Sequence, residues 1–165
     1  IEASLDVTLP NKYTVRAPVL ISLTDAEKSP STAGLHGIHI DATMKSLQGC
    51  WLGLPEEHTD RSIIYNPGDL DIWPTIRWTG AGKSVTAPGI GVVPLPNAGS
   101  RVAELETSPE VASRVRVDGV DAPDLWRGMR GRLFPLPIKA TSSEEWTFSG
   151  CVGITRSAHT NPWRW

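Results

Sequence analysis

His36, Gly37, Ile38 and His39 set two imidazoles three positions apart, with Asp41 and His58 as candidates for a third ligand. On a strand, positions three apart point to opposite faces, so both rings reach one ion only if the chain bends at Gly37. Neither HExxH spacing nor a two-His-one-carboxylate pattern accompanies them, so no metal site is assigned. Glu56, Glu57 and Asp60 surround His58 just after Pro55. Paired carboxylates are the equipment of a glycosidase, and a solvated acidic loop is the plainer reading. The stretch lacks the spaced oxygen ligands of an EF-hand loop. Gly80-Ala81-Gly82-Lys83-Ser84 looks like the end of a phosphate-binding loop. The glycine required five residues before Gly82 is Arg77, however, so the segment reads as a hairpin tip. No G-x-S-x-G elbow occurs, and Ser149 sits in strand-like alternation. No catalytic residue and no cofactor are assigned.

Tryptophan is the most unusual residue. There are seven, against two Phe and two Tyr. Trp51, Trp78 and Trp146 fall in apolar alternation and are expected in the core. Trp73 is out of phase with Ile72 and Ile76 and is expected on the other face. Trp126 precedes a basic run, Arg127, Arg130 and Arg132, and Trp163 and Trp165 flank Arg164 at the end of the sequence. An exposed indole is a flat apolar platform with a polar edge, suited to sugar rings and to protein contacts. Arg forks beside it suit phosphate, sulfate or carboxylate groups. The candidate ligand-binding residues are therefore Trp73, Trp126, Arg127, Arg130, Arg132, Trp163 and Trp165.

Cys50 and Cys151 lie about 100 residues apart, which excludes a CxxC zinc or redox motif. A single long-range disulfide between them is expected, closing a large loop. The sequence begins Ile1-Glu2-Ala3 without Met, which fits removal of a signal peptide or a trimmed chain.

The elements that must carry these residues are strands. Ile1, Ala3, Leu5, Val7 and Leu9 alternate with polar residues, as do Tyr13 to Leu23, Ile38 to Met44 and Ile72 to Trp78. Trp146, Phe148, Gly150, Val152 and Ile154 form the last clear set. Alternation of period two places one face on a core and the other toward water. Weaker strands are read at 62–65, 90–95, 101–106, 114–118 and 133–139. Asn66-Pro67-Gly68-Asp69 reads as a tight turn, and 79–83 and 95–99 as hairpin connections. Ser108-Pro109 opens one short helical turn, and Asp124 to Met129 forms another before Gly131.

Leu, Ile, Val and Phe together make about a quarter of the 165 residues, enough for a core. Fifteen Gly and fourteen Pro argue for many turns and against long helices or coiled coils. No apolar run approaches the roughly 18 residues of a membrane helix. The fold expected is a single all-β domain over 1–165, an antiparallel β-sandwich (immunoglobulin-like or jelly-roll-like) with one or two short helical turns.

The net charge of −2 argues against nucleic acid as a partner. The charge is unevenly spread. Residues 1–82 carry six basic and ten acidic side chains, and residues 126–165 six and two. The C-terminal quarter can therefore face an anionic partner. The leading functional reading is a secreted or surface-displayed module that binds glycan through exposed Trp and Arg. The second is a structural subunit, fimbrial or capsid-like, whose edge strands and Trp-rich tail pack on neighbours, with a homo-oligomer as one outcome. The third is a hydrolase whose carboxylates converge from distant loops.

Overall fold

The computed structural model describes residues 2–8, 14–28, 38–46, 49–111, 114–132 and 136–161. The chain runs through β1 (Glu2–Thr8), β2 (Thr14–Lys28), β3 (Ile38–Ser46), β4 (Trp51–Leu52) and β5 (Glu56–Tyr65). Then follow β6 (Thr75–Trp78), β7 (Ser84–Ala87), β8 (Gly91–Pro94), β9 (Ala103–Glu106) and a 3₁₀ turn (Pro109–Val111). The remainder is β10 (Val115–Val117), β11 (Val120–Asp121), α1 (Pro123–Met129), β12 (Ser143–Thr155) and β13 (Ala158–His159). Every described pairing is antiparallel. The fold is all-β and sandwich-like, with one short helix, as the alternation implied.

One sheet joins β1, β2 and β3 to the short pair β4 and β13. The other holds eight strands around β12, which carries β5 along one edge and β6 and β7 end to end along the other. Beyond β6 lie β9, β10 and β11, and beyond β7 lies β8. The inward positions of these strands are apolar: Ile76 and Trp78, Ala103 and Leu105, and Val115 and Val117 fall in strands read from the sequence, whereas Val85 and Ala87 belong to β7, which that reading missed. The sheet closes over them, and Leu125 and Met129 of α1 complete the core. Each such buried aliphatic side chain contributes about 1.5–3 kcal/mol.

The sheet turns a corner along a line that crosses several strands. On β12, Phe148 pairs with Asp60 but the next pair is Gly153 with His58, so Ser149 to Val152 bulge opposite Thr59 alone. Gly150 at φ 65° and Asp60 at φ 54° take the left-handed backbone that this requires. On the neighbouring edge the corner falls at 79–83. That segment is not a hairpin tip: it joins β6 to β7 in line along β12. The 95–102 segment does the same for β8 and β9, and the two face each other through Gly80 N–H to Gly99 O (2.8 Å) and Ala98 N–H to Gly80 O (3.0 Å). The true tip of this long hairpin is Pro88-Gly89-Ile90, closed by Ile90 N–H to Ala87 O.

The bulge also reverses the phase of β12. Trp146 and Phe148 point into the core before it, and Cys151, Gly153 and Thr155 after it. The unbroken alternation expected through Val152 and Ile154 is thereby corrected: those two face the opposite side. Phe148 lies flat over Gly153, whose hydrogen stands where a Cβ would sit 2.2 Å from the ring. The Phe148 ring also stacks on Trp146, with centroids 6.1 Å apart.

The expected disulfide is not formed: Cys50 and Cys151 are free thiols. The phase reversal is the reason. It turns Cys151 into the curled sheet, where its Sγ donates to Ser84 O at 3.3 Å, whereas Cys50 lies at the entry to β4. Trp78 and Trp146 are core residues as expected, while Trp51 is only half-buried. Of the strand read at 133–139, residues 133–135 lie outside the described residues, and the described part forms a bridge between Ile138 and Ile72.

Candidate functional site

A groove of about 1000 Å³ lies where β4 and β13 meet the eight-stranded sheet. Thr75, Glu106 and Ile154 face it from β6, β9 and β12. They alternate with buried Ile76, Leu105 and Gly153, so the groove lies on the side of the sheet away from the main core. Leu52 of β4 and Ala158 of β13 form the opposite wall. The third wall is the 69–73 segment, which includes Trp73. Out-of-phase Trp73 thus faces away from Ile76 as expected; it is half-buried, and its Nε1 is buried with no acceptor among the described residues.

Two devices hold the third wall. Asn66, wholly buried, donates from Nδ2 to the carbonyls of Leu70 (2.9 Å), Ile138 (3.1 Å) and Lys139 (3.2 Å), and its Oδ1 accepts from Gly68 N–H at 3.0 Å. Gly68 then presses on the Ala158 backbone so closely that a Cβ would sit 2.2 Å from its carbonyl oxygen. Asp69 accepts from Thr160 through both the backbone N–H (2.7 Å) and the hydroxyl (2.5 Å), which fixes the chain beyond β13. The Thr160 hydroxyl, more than any nearby charge, holds the Asp69 carboxyl below the usual range.

The groove is acidic. Four carboxylates line it, Asp69, Asp71, Glu106 and Glu110, against one guanidinium, Arg156. Asp71 is neutralised by Lys139 at 2.8 Å, and Arg116 approaches Glu106 at 4.0 Å. No Lys or Arg pairs with Asp69 or Glu110 among the described residues. Burial raises the Cys50 thiol above its ordinary value, and the negative Glu110 adds to the effect.

The basic run lies on a different element. Pro123 starts α1, whose Leu125 and Met129 enter the core. Trp126 is half-buried against that core, while Arg127, Arg130 and Arg132 are exposed and form no ion pair among the described residues. Trp73 and the Arg run therefore do not share a site: Trp73 lines the groove and Trp126 does not. Trp163 and Trp165 lie outside the described residues.

The outer face of the eight-stranded sheet divides at the corner. On one side, Arg77 binds Glu104 (2.8 Å) and Glu57 (3.4 Å), and Arg116 approaches Asp121 (3.7 Å), an alternating ladder of charges in strand register. On the other side, Ile63 and Tyr65 of β5 are 73% and 56% exposed and Val92 of β8 is 68% exposed, with Thr86 and Thr147 between the two strands. The ion pair there, Arg61 with Glu145 at 2.8 Å, is self-neutralising. β5 pairs only with β12, so among the described residues its other edge is open.

The remaining candidates do not converge. Glu56 and Glu57 are exposed neighbours on a strand and project to opposite faces. His58 is bonded to Thr155 Oγ1 at 2.8 Å, and burial lowers its pKa. His36 lies outside the described residues, and no cluster of three metal-ligating side chains occurs among them. Cys151 borders a second cavity of about 400 Å³ at the corner. Burial pushes its thiol up to about 11, which leaves it protonated and unreactive at neutral pH. No described helix is long and apolar enough to cross a membrane.

The groove had no local signal in the sequence, because its walls come from segments spread between Gly49 and Thr160. The β7–β8 hairpin did have one, the Pro88-Gly89 dipeptide.

No protein-family model and no characterised protein matches the chain. Among solved structures, the fold is similar to that of the SPP1 Dit (gp 19.1) protein, described as a paradigm of the hub adsorption apparatus in phages that infect Gram-positive hosts. The superposition has a TM-score of 0.54 at 10% identity and covers 94% of this chain. The chain spans 65% of the length of that protein, and the likeness is one of fold.

Proposed function

We propose that this chain is a structural subunit of a phage adsorption apparatus, a non-catalytic module that works through protein–protein contacts. The observation that carries the reading is the fold likeness to a hub protein over nearly the whole chain. The open edge of β5 supports it, because exposed Ile63 and Tyr65 beside unpaired backbone groups are what strand addition by a neighbour uses. In this reading the protein resides on the outside of a particle rather than as a secreted monomer. The glycan-binding alternative would use either Trp73 in the groove or Trp126 beside Arg127, Arg130 and Arg132, which are separate surfaces; a glycan array of wild type beside Trp73→Ala and Trp126→Ala is its test.

The subunit reading is tested by light scattering of the full chain across a concentration series, beside the Ile63→Asp/Tyr65→Asp variant. The expected result is a concentration-dependent assembly that the double variant reduces or abolishes at unchanged melting temperature. A wild-type chain that stays monomeric at every concentration overturns the reading.

A further inference from the structure

We infer that the acidic groove takes the α1–Arg132 segment of a second copy, so that copies join head to tail. The inference deepens the assembly reading above and rests on it. Its basis is a complementarity within one chain. The groove presents Asp69 and Glu110 without a Lys or Arg partner among the described residues, and the α1 segment presents Arg127, Arg130 and Arg132 without a carboxylate partner. Neither set has a Lys, Arg or carboxylate ion-pair partner among the described residues, and Asp69 is additionally held by Thr160 and lies near the His159 imidazole.

The two sets cannot satisfy each other within one molecule. The groove residues Thr75, Glu106 and Ile154 point away from the main core, while α1 inserts Leu125 and Met129 into that core. Groove and helix therefore sit on opposite sides of the eight-stranded sheet. Surfaces that match but lie on opposite sides of one molecule make a heterologous contact, which propagates from copy to copy into a ring or a filament. Chemistry favours the match as well. Arg forks bind carboxylates through paired N–H donors, and the groove offers Glu110 and, 4.0 Å from Arg116, Glu106 as acceptors. Leu52, Ile72 and Ile154 supply an apolar floor for the aliphatic stems of the arginines and for the exposed part of Trp126.

Opposing charges stand on both elements. At the groove they are Arg156 in the lining, Lys139 on Asp71, Arg116 near Glu106 and the His159 imidazole near Asp69, which leaves Glu110 at the rim with no cation beside it among the described residues. On α1 the one carboxylate is Asp124, against the three arginines of the segment.

The test is complementation between two charge-reversed chains. The groove variant carries Glu106→Lys and Glu110→Lys, and the patch variant carries Arg127→Glu, Arg130→Glu and Arg132→Glu. All five positions lie on the surface or the groove rim. Sedimentation velocity is run on wild type, on each variant alone and on their equimolar mixture. Each variant alone is expected to self-associate at least tenfold more weakly than wild type. The mixture is expected to associate again, from a 1:1 dimer upward, because the native patch of the groove variant fits the native groove of the patch variant and the two reversed surfaces are also of opposite charge. That association also shows that both variants are folded. Variants that assemble as wild type does overturn the inference and leave the assembly reading standing. Variants that lose assembly but do not associate on mixing, while retaining the wild-type circular dichroism spectrum, overturn it too. A wild-type chain that never associates removes the assembly reading itself.

Discussion

Asn66 is the residue on which the groove wall depends, and its replacement has a calculable cost. Its amide nitrogen has two hydrogens and serves the carbonyls of Leu70, Ile138 and Lys139, while its oxygen accepts from Gly68 N–H. Asn66→Ala removes about three effective bonds, two donated and one accepted, and strands buried backbone groups that have no access to water. At about 1 kcal/mol net per bond, the loss is about 3 kcal/mol. A chain of this size loses roughly 2–4 °C per kcal/mol, so the melting temperature should fall by about 6–12 °C. Asn66→Asp has nearly the same shape but points a carboxylate at three carbonyl oxygens. Burial and those oxygens disfavour its ionised form, so the folded pKa lies above the unfolded value of about 3.9. A raised folded pKa means that the contribution is fully present below the unfolded pKa and is lost as pH rises through the folded one. The Asp variant should therefore be closest to wild type near pH 4 and lose up to about 1.4 kcal/mol per pH unit above that. Urea unfolding followed by Trp fluorescence at pH 4 and pH 7.5 measures both effects. An Ala variant within about 1 kcal/mol of wild type, or an Asp variant with no pH dependence relative to wild type, would refute the reasoning.

Gly153→Ala places a methyl group 2.2 Å from the buried Phe148 ring, and overpacking of this kind costs about 1–3 kcal/mol or more. Adding Phe148→Leu to it should recover part of that loss, whereas additive penalties in differential scanning calorimetry would contradict the contact. The two thiols should differ in reactivity. Half-buried Cys50 should label with a maleimide in the native protein and Cys151 only on unfolding, with reductant leaving the melting temperature unchanged. Asp69 has a depressed folded pKa, so its hold on Thr160 is complete above the unfolded pKa near 4 and is lost as pH falls through the folded one. The protection factor of the Thr160 amide, referred to the intrinsic rate at each pH, should fall in that acid window, and Asp69→Asn should weaken the pH response; an unchanged protection factor down to pH 2 would count against the contact.

Strands β6, β9 and β10 of the eight-stranded sheet were legible because their inner positions repeat every second residue, and Ile76 and Trp78, and Val115 and Val117, are buried as the pattern says. Strand β7 was missed, since Val85 and Ala87 make too short a run, and the start of β5 reads as an acidic loop because Glu56 to Asp60 carry charge on both faces. The 3₁₀ turn was legible from Ser108-Pro109 and the helix from the stretch before Gly131. β12 shows where such reading stops. Its apolar residues continue at even numbers from Trp146 to Ile154, yet the chain bulges at Ser149 to Val152, and Gly150 is the only local hint. That error of phase carried Cys151 to the wrong side and made a disulfide plausible. Trp51 was misplaced for a related reason: it opens a two-residue strand, too short for alternation to mean burial. The basic run on α1 could be read as a partner surface from sequence. Its acidic counterpart could not, because Asp69, Glu106 and Glu110 become neighbours only through the pairing of β6 with β9 and the docking of β13.

The division of charge follows from the same corner. Before it, strands of alternating sign lie in register, and Arg77, Glu104, Arg116 and Asp121 neutralise one another at the surface. Exposed pairs of this kind add only about 0.2–1 kcal/mol each, and because their signs alternate they cast almost no field beyond a Debye length of roughly 8–10 Å. The field that reaches an approaching molecule comes from groups left without ion-pair partners, among them Glu110 at the groove on one side of the sheet and the α1 arginines on the other. Beyond the corner the surface is apolar and hydroxylated, with its single ion pair closed on itself. Such a surface does not steer an encounter but rewards a contact once made. In the assembly proposed above, the first two surfaces orient neighbouring copies and the third holds them once they meet.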